Sequence, residues 1–289
     1  MRAQSVAVTS RKARWHQSTL STLLDGCSWQ YFLTYIAELQ HPLNGNAAVG
    51  IAYHAAVEKA QKARFKNKET TLDKLIQYGI KELQVLTDDI ELETPLKASL
   101  TNYHKYIRPY LEDYEPVAIE PEFTIDLVNN ARPVGGYIDG VYRDPDTGAH
   151  FIIDHKTVGN YSRWKDGDGH RHQAAMYSVA LALSDKFPQI ETLPEMRYLL
   201  VRTSIGTRSN FEAHRIITVQ PDLADVQVLG ERVREAERIV QERDFRKNTS
   251  WNLCSEKWCP YYERCILTGE LSGDPEEILS QIVGDSDTQ

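Results

Sequence analysis

Two short stretches of the sequence carry carboxylates that could bind a divalent cation together. Residues 136–139 are Gly-Tyr-Ile-Asp, and residues 153–156 are Ile-Asp-His-Lys. Alternate side chains of a β-strand share a face, so Asp154 and Lys156 should project to one side of a sheet and His155 to the other. A carboxylate beside a lysine can hold a metal ion and stabilise negative charge next to it.

The turn between these stretches predicts that the two aspartates face each other. Residues 144–148, Asp-Pro-Asp-Thr-Gly, are typical of a tight turn. A hairpin centred on Asp146 sets Asp139 almost opposite Asp154, with Cβ atoms about 4.5–5.5 Å apart. Like charges there destabilise a sheet unless a cation such as Mg²⁺ or Mn²⁺, which prefers oxygen ligands, neutralises them. The alternative is that the hairpin simply exposes solvated side chains.

The cysteines form a second candidate site. The chain has four, of which Cys27 stands alone and Cys254, Cys259 and Cys265 lie close together near the C-terminus. Thiols stay reduced in the cytoplasm, where we expect this protein, so metal ligation is favoured over disulfides. Four thiolates suit either Zn²⁺ or an iron-sulfur cluster, and either would join the two ends of the chain as a structural element.

Composition limits the classes of protein that this chain can be. Its 289 residues, 41% of them hydrophobic, are enough for a folded core. A net charge of -8 excludes binding to nucleic acid through overall charge, so any DNA contact must be local. The sequence contains no apolar run of membrane-spanning length and no signal peptide, which predicts a cytoplasmic protein. It also lacks a phosphate-binding loop, so an ATP-driven helicase would have to be a partner.

The pattern of apolar residues predicts a helical first half and a mixed second half. We expect helices over 18–40, 47–66, 72–86 and 96–111. Strands are expected over 117–127, 132–142, 150–156, 196–203 and 214–218, with helices over 170–184 and 221–246. The acidic segment 271–289 is expected to be a flexible tail.

These motifs make the chain resemble the PD-(D/E)xK nuclease superfamily. In that superfamily an acid on one strand precedes an acid-x-Lys motif on the next, as Asp139 precedes Asp154 and Lys156 here. Residues 50–54, Gly-Ile-Ala-Tyr-His, match the Gly-x-x-x-His element of its RecB-like branch. Residues 173–177, Gln-Ala-Ala-Met-Tyr, match the Gln-x-x-x-Tyr element of the same branch. Taken singly, the first element could be a helix histidine paired with Glu58, and the second a core tyrosine with a surface glutamine.

The resemblance implies a role for each motif. The implied metal ligands are His54, Asp139, Asp154 and the backbone carbonyl of His155. Lys156 would assist the attacking water, and Gln173 and Tyr177 would support the active site. Members of the superfamily often carry a further acid before the first aspartate, and Glu120 and Glu122 are both candidates here.

The cysteines resemble those of the iron-sulfur RecB-like nucleases, which include the CRISPR-associated Cas-four-type exonucleases and the AddB nuclease domain. In these proteins one early cysteine and a C-terminal trio hold a 4Fe-4S cluster, which implies Cys27, Cys254, Cys259 and Cys265 as its ligands. Residues 254–265 depart from that pattern, because the first gap of the trio is longer than in the family. Zn²⁺ stays an alternative.

The segment between the two catalytic motifs mixes cations, an aromatic residue and glycines. Its candidate DNA contacts are Arg163, Trp164, Lys165 and Arg171. Such a segment could bind one strand through its phosphates and by base stacking, although a solvated loop is equally compatible with its composition.

The resemblance implies an α/β fold with a central mixed β-sheet flanked by helices, like the restriction-endonuclease core. We expect one domain over 1–270, comprising a helical part over 15–113, a catalytic core over 116–220 and a helix with the cysteines over 221–270. The implied activity is that of a Mg²⁺- or Mn²⁺-dependent DNA exonuclease acting on single-stranded ends. The implied setting is recombination, repair, phage DNA processing or CRISPR adaptation, with proteins of these processes as partners. The alternatives are a non-catalytic module that binds DNA ends and a zinc-stabilised protein without a nuclease site.

Overall fold

The computed structural model describes residues 14–41, 43–162, 164, 168–190, 192–206 and 210–286, with the backbone alone for residue 168 and for 283–286. The chain folds into two compact units. The cysteine unit comprises Met1–Pro42, Thr124–Gly135 and Val228–Gln289, and the sheet unit comprises Leu43–Phe123 and Gly136–Gln227. Within the part of the chain that is described, no helix is long and apolar enough to cross a membrane.

The cysteine unit begins with helical turns that are interrupted at Cys27. Helix α1 (Gln17–Ser21) continues into a π-helical turn (Thr22–Gly26), and α2 (Ser28–Tyr31) into another (Phe32–Ile36). Cys27 between them is extended, with φ -127° and ψ 108°. The prediction of one helix over 18–40 is therefore wrong, because bonds to a distant segment hold this point. The N–H of Asn248 donates to Cys27 Sγ at 3.4 Å, and that of Trp29 to the Arg246 carbonyl at 3.1 Å.

The sheet unit opens with helices that pack on one another. Helix α3 (Gly45–Phe65) starts after Asn44, whose side chain accepts from the N–H of Asn46. Helix α4 (Leu72–Leu86) starts after Thr71 in the same manner. Helix α5 (Glu93–Asn102) runs through a π-helical turn (Tyr103–Ile107) into α6 (Arg108–Glu112). The predicted helices over 47–66, 72–86 and 96–111 are thus confirmed, apart from that turn.

A mixed five-stranded sheet forms the centre of the sheet unit. Its order is β1-β4-β5-β6-β7, and β5 and β6 are parallel while the other neighbours are antiparallel. The strands among the described residues are β1 (Glu115–Ile119), β2 (Glu122–Ile125), β3 (Val134–Tyr137), β4 (Gly140–Arg143), β5 (His150–Val158), β6 (Glu195–Arg202) and β7 (His214–Val219). Helix α7 (Arg171–Ala182) lies between β5 and β6 in the chain. The expected α/β fold with a central mixed sheet flanked by helices is confirmed.

The hairpin between β4 and β5 has the predicted register. Gly140 pairs with Ile153 and Arg143 with His150, so the same register extended by one residue sets Asp139 opposite Asp154. The turn is closed by Asp144, whose Oδ1 accepts the N–H groups of residues 146 and 147 at 2.9 and 3.1 Å. These hydrogen bonds hold the pKa of the Asp144 carboxyl below its ordinary value.

The chain bends twice before the turn of the hairpin, and the two bends lie side by side. We predicted single strands over 117–127 and 132–142, but the first is interrupted at Glu120 and the second at Asp139. Glu120 has a positive φ of 55°, and Pro121 has no N–H for a sheet ladder. The N–H of Glu120 donates to the Asp139 carbonyl at 3.3 Å, and that of Ile138 donates to the Pro121 carbonyl at 3.2 Å. Asp139 therefore lies where the chain enters the five-stranded sheet.

Alternation along β5 sorts its side chains between two layers of helices. Phe151 and Ile153 pack in one core with residues of α3, α4 and α5. The His155 ring follows them, with its centroid 6.2 Å from that of Tyr53 in α3. Asp154 instead accepts a hydrogen bond from Gln173 of α7. This is the predicted division, with Asp154 on one face and His155 on the other.

The C-terminal part of the chain is more helical than predicted. Helix α8 (Leu223–Glu242) ends a few residues before the predicted limit at 246. Helix α9 (Pro275–Ser286) lies inside the segment that we expected to be a flexible tail. Its first turn carries Glu276 and Glu277, and acidic side chains there stabilise a helix through its dipole.

The contact of α4 with α5 gives a test of how tightly the helices beside the sheet pack. A Cβ on Gly79 of α4 would lie 2.7 Å from Leu100 Cδ1 and 3.3 Å from Leu96 Cδ2, and both leucines are fully buried. Gly230 of α8 is the control, because its nearest neighbour would lie 3.9 Å away. Gly79→Ala should lower the free energy of unfolding by about 1 kcal/mol through overpacking. Gly230→Ala should raise it by about 0.5–1 kcal/mol through helix propensity. Urea denaturation measures both, and equal stabilisation by the two variants would contradict this packing.

Candidate active site

Asp139 lies at the bend between β3 and β4. Its carboxylate accepts a hydrogen bond that a backbone carbonyl would accept in a regular strand pair. Asp139 Oδ2 accepts the backbone N–H of His155 at 2.6 Å. β4 begins only at Gly140, so the side chain bonds an amide of β5 that the β4 backbone does not reach. The same oxygen lies 3.3 Å from Nδ1 of His54 in α3. At this bend, a side-chain carboxylate therefore replaces a backbone carbonyl as the hydrogen-bond acceptor for β5.

Asp154 and Lys156 form the second half of the site on β5. The Asp154 side chain is 3% exposed, and its Oδ2 lies 2.5 Å from Lys156 Nζ. Its Oδ1 accepts a hydrogen bond from Gln173 Nε2 at 2.9 Å. Burial lowers the pKa of Lys156, but the carboxylates of Asp154 and Asp139 raise it further than burial lowers it. The lysine is therefore charged at neutral pH.

His54 and Asp139 stabilise each other's charged forms. Burial lowers the pKa of His54, but the Asp139 carboxylate more than offsets this and raises it above its ordinary value. Burial raises the pKa of Asp139, but His54, His155 and Lys156 bring it well below its ordinary value. Asp139 is therefore an anion beside a histidine that its charge helps to protonate.

The two further candidate acids, Glu120 and Glu122, lie in different environments. Glu120 lies in the bend at the end of β1, where burial, followed by repulsion from Asp139 and Glu58, raises its pKa to about 7. Glu122 begins β2 and is exposed. Glu120 is thus the acid near Asp139, and its positive φ is the feature that brings it there. The sequence alone did not distinguish the two, because nothing in it marked the bend.

The His155 side chain turns away from the acids toward α3. Its ring is 2% exposed and lies among Tyr53, Tyr103 and His54, with centroids 6.2, 5.6 and 6.4 Å away. Burial lowers its pKa to about 3, so the ring is neutral. Its Nε2 lies 2.5 Å from Nε2 of Gln61. Gln61 was missed from the sequence, although a polar residue at a buried position of α3 is a signal that could have identified it.

The site is rich in the oxygen ligands that a hard divalent cation prefers. Asp154 Oδ2 lies close to Lys156 yet accepts no well-directed hydrogen bond, so it retains capacity for a further partner. Among the described residues, no group of three or more His, Cys, Asp or Glu side chains converges tightly enough to hold a metal ion. His54 and Lys156 neutralise the acids in this arrangement. A divalent cation fits the donor set and would compete with the lysine for Asp154.

Gln173 and Tyr177 share one face of α7 above Asp154. Gln173 is 8% exposed, and its amide donates to the acid. Burial, followed by the Asp154 charge, raises the pKa of the Tyr177 hydroxyl far above its ordinary value. The Tyr177 ring makes an edge contact with Phe123, with centroids 5.6 Å apart. The structure thus brings this motif onto the site that the sequence predicted for it.

The four predicted DNA contacts lie in different settings. Arg163 and Lys165 lie outside the described residues. Trp164 is 8% exposed and stacks on His170, with centroids 3.7 Å apart, so base stacking on it would require the ring to leave this contact. Arg171 makes two hydrogen bonds to Asp225, at 2.8 and 2.5 Å. Its guanidinium is therefore paired within the sheet unit.

The cysteines meet in the cysteine unit. All four are free thiols, and they line one pocket together with residues that include Trp29, Lys247 and Trp251. Burial raises the pKa of Cys254, Cys259 and Cys265, and in each case neighbouring cysteines raise it further. Thiols that raise one another's pKa lie close together, although their sulfur atoms are not at ligand distances from one centre.

Comparison with known proteins assigns the chain to a family. Residues 14–266 match the family described as the PD-(D/E)XK nuclease superfamily. No curated protein matches the chain. A solved structure titled "Crystal structure of SSO0001" aligns with 84% of this chain and 98% of its own length, at 14% sequence identity and a TM-score of 0.35. Because the family match spans most of the chain and includes every residue of the acid and lysine site, this protein belongs to the PD-(D/E)XK nuclease superfamily.

Proposed function

We propose that this nuclease is a metal-dependent DNA exonuclease that hydrolyses phosphodiester bonds at single-stranded ends. The cluster of Asp139, Asp154 and Lys156 supports this most strongly, because it places a half-buried acid and a buried acid beside a charged lysine. Phosphodiester hydrolysis develops negative charge at the phosphate, which a cation and a lysine both stabilise. The exposed fraction of Lys156, 31%, leaves its side of the site open to solvent.

We assign roles from position. In this proposal His54, Asp139, Asp154 and the His155 carbonyl would hold Mg²⁺ or Mn²⁺. A bound ion would act as a Lewis acid and would lower the pKa of a water molecule. Lys156 would orient the attacking water and stabilise charge on the phosphate.

Further residues support these ligands. Gln173 fixes Asp154 through its amide. Tyr177 lies on the same face of α7 and would support the active site from there. Glu120 adds a further carboxylate near Asp139.

The substrate and setting follow from charge and family. A net charge of -8 requires any DNA contact to be local, and the resemblance to RecB-like nucleases favours single-stranded ends. Arg163 and Lys165 stay candidate contacts. We propose cytoplasmic action in recombination, repair, phage DNA processing or CRISPR adaptation, with a helicase or adaptation proteins as partners. We also propose that 1–270 acts as one nuclease domain, because the family match runs through both units.

We propose that Cys27, Cys254, Cys259 and Cys265 hold a 4Fe-4S cluster. The shared pocket and the mutual effect of the cysteines on their pKa values support a single site. Ligation would require the thiols to lose their protons, which a bound metal favours. The cluster would be structural, holding α2 to the C-terminal segment, and Zn²⁺ is the alternative occupant.

Replacing Asp154 tests the acid site. Asp154→Asn should lower the rate of single-stranded DNA cleavage with Mn²⁺ by about two orders of magnitude or more, because it removes a charged ligand. Asp146→Asn, an exposed acid in the turn of the same hairpin, is the control and should cleave at the wild-type rate. End-labelled DNA resolved on a gel measures both. Unchanged cleavage by Asp154→Asn would refute the assignment, and DNA-end binding without cleavage by the wild type would favour a non-catalytic module.

Replacing Lys156 separates catalysis from metal binding. Lys156→Met should slow cleavage by about a hundredfold, since a charge that stabilises the phosphate is lost. The same variant should bind Mn²⁺ at least as tightly as the wild type, because Lys156 competes for Asp154. Isothermal titration calorimetry measures this affinity. Loss of Mn²⁺ binding in Lys156→Met would contradict the proposed division of roles.

The occupant of the cysteine pocket is testable by colour and metal content. Anaerobically purified wild type should absorb broadly in the visible region and contain iron, and Cys254→Ser should lose both because a cluster ligand is removed. Glu256→Ala, at an exposed position nearby, should retain both. Colourless wild-type protein that contains stoichiometric zinc would overturn the iron-sulfur assignment.

A further inference from the structure

A buried glutamine lies behind the acid site, on the α3 side of β5. Gln61 is 3% exposed, and its amide lies 2.5 Å from His155 Nε2. A hydrogen bond from Gln61 also acts on the Tyr103 hydroxyl, whose pKa burial nevertheless raises to about 12. A buried amide is costly unless it is hydrogen-bonded, and Gln61 has both partners at hand.

His155 joins this glutamine to the acids. It stands between Asp154 and Lys156 in β5, and its N–H donates to Asp139 at 2.6 Å. The residue is therefore held at two ends, since Gln61 holds the ring and Asp139 holds the backbone. Loss of the contact to the ring would leave the backbone on either side of His155 held by Asp139 alone at this residue.

Helix α3 provides both the contact to Asp139 and the contact to the His155 ring. His54 and Gln61 are two helical turns apart on α3, so they share a face. His54 Nδ1 contacts Asp139 Oδ2 at 3.3 Å, and Gln61 contacts the His155 ring. α3 thus holds Asp139 directly and the Asp154 segment through His155.

We propose that Gln61 is a positioning residue of the metal site. It fixes the His155 ring, and through it the backbone of 154–156, so that the Asp154 carboxylate and the His155 carbonyl meet Asp139 around one cation. The inference rests on the proposed metal-dependent function. Groups that orient metal ligands without touching the metal typically change its affinity about 10- to 100-fold.

The test measures Mn²⁺ binding to the full chain by isothermal titration calorimetry. Gln61→Met keeps the length of the side chain but loses its hydrogen bonds, and should raise the Mn²⁺ dissociation constant about tenfold. Gln61→Leu is the second variant, should one of the two fail to fold. Val57→Ala is the control, because Val57 is an apolar residue of α3 that is 1% exposed. It should lower Tm and leave the dissociation constant unchanged.

A double-mutant cycle tests the route through His155. In a His155→Phe background, Gln61→Met should weaken Mn²⁺ binding no further, because the ring that it holds is gone. Full additivity of the two effects would overturn the proposal. So would a Gln61→Met protein that loses Tm but keeps the dissociation constant, as Val57→Ala should.

The outcomes also separate this proposal from the nuclease function. A wild type that binds Mn²⁺ but cleaves no DNA would refute the nuclease proposal and leave the role of Gln61 measurable. Wild-type cleavage with unaltered Mn²⁺ affinity in Gln61→Met would refute only the role of Gln61. Absence of Mn²⁺ binding by the wild type would refute both.

Discussion

The hydrogen bond from the His155 N–H to the Asp139 carboxylate, 2.6 Å long, is the constraint on which the site depends. This bond connects the bend before β4 to β5, in the middle of the sheet. It forms where the backbone pairing of β4 with β5 ends. A carboxylate replaces a carbonyl in the ladder there, so a negative charge is fixed opposite Asp154. The free energy of a bond between an N–H and a charged acceptor helps to hold that charge in a half-buried position.

The carboxylates of Asp139 and Asp154 repel each other, and a basic side chain lies beside each of them. His54 reaches Asp139 from α3, and Lys156 reaches Asp154 along β5. Glu120 retains a raised pKa, because burial and the Asp139 charge act on it together. The protein thus holds acidic and cationic side chains close together, and helices on both faces of the sheet contribute them.

The sequence predicted the parts of this arrangement that depend on local rules. Turn chemistry at Asp144 and strand alternation gave the hairpin register and the facing aspartates, and helical periodicity gave α3 and α7. The bends at Glu120 and Asp139 were not predictable, because a positive φ at a glutamate is set by the two strands that bend together. The break at Cys27 was missed for a related reason, since its cause is contact with residues more than two hundred positions away.

Our main proposal is that a divalent cation held by Asp139 and Asp154 enables this protein to cleave DNA. Its most direct test is the Mn²⁺ dependence of single-stranded DNA cleavage by wild type and by Asp139→Asn, measured on end-labelled substrate. We expect wild-type cleavage that requires Mn²⁺ and reaches saturation, and loss of that cleavage in the variant. Cleavage by the wild type in the presence of a chelator, or unchanged cleavage by Asp139→Asn, would contradict it.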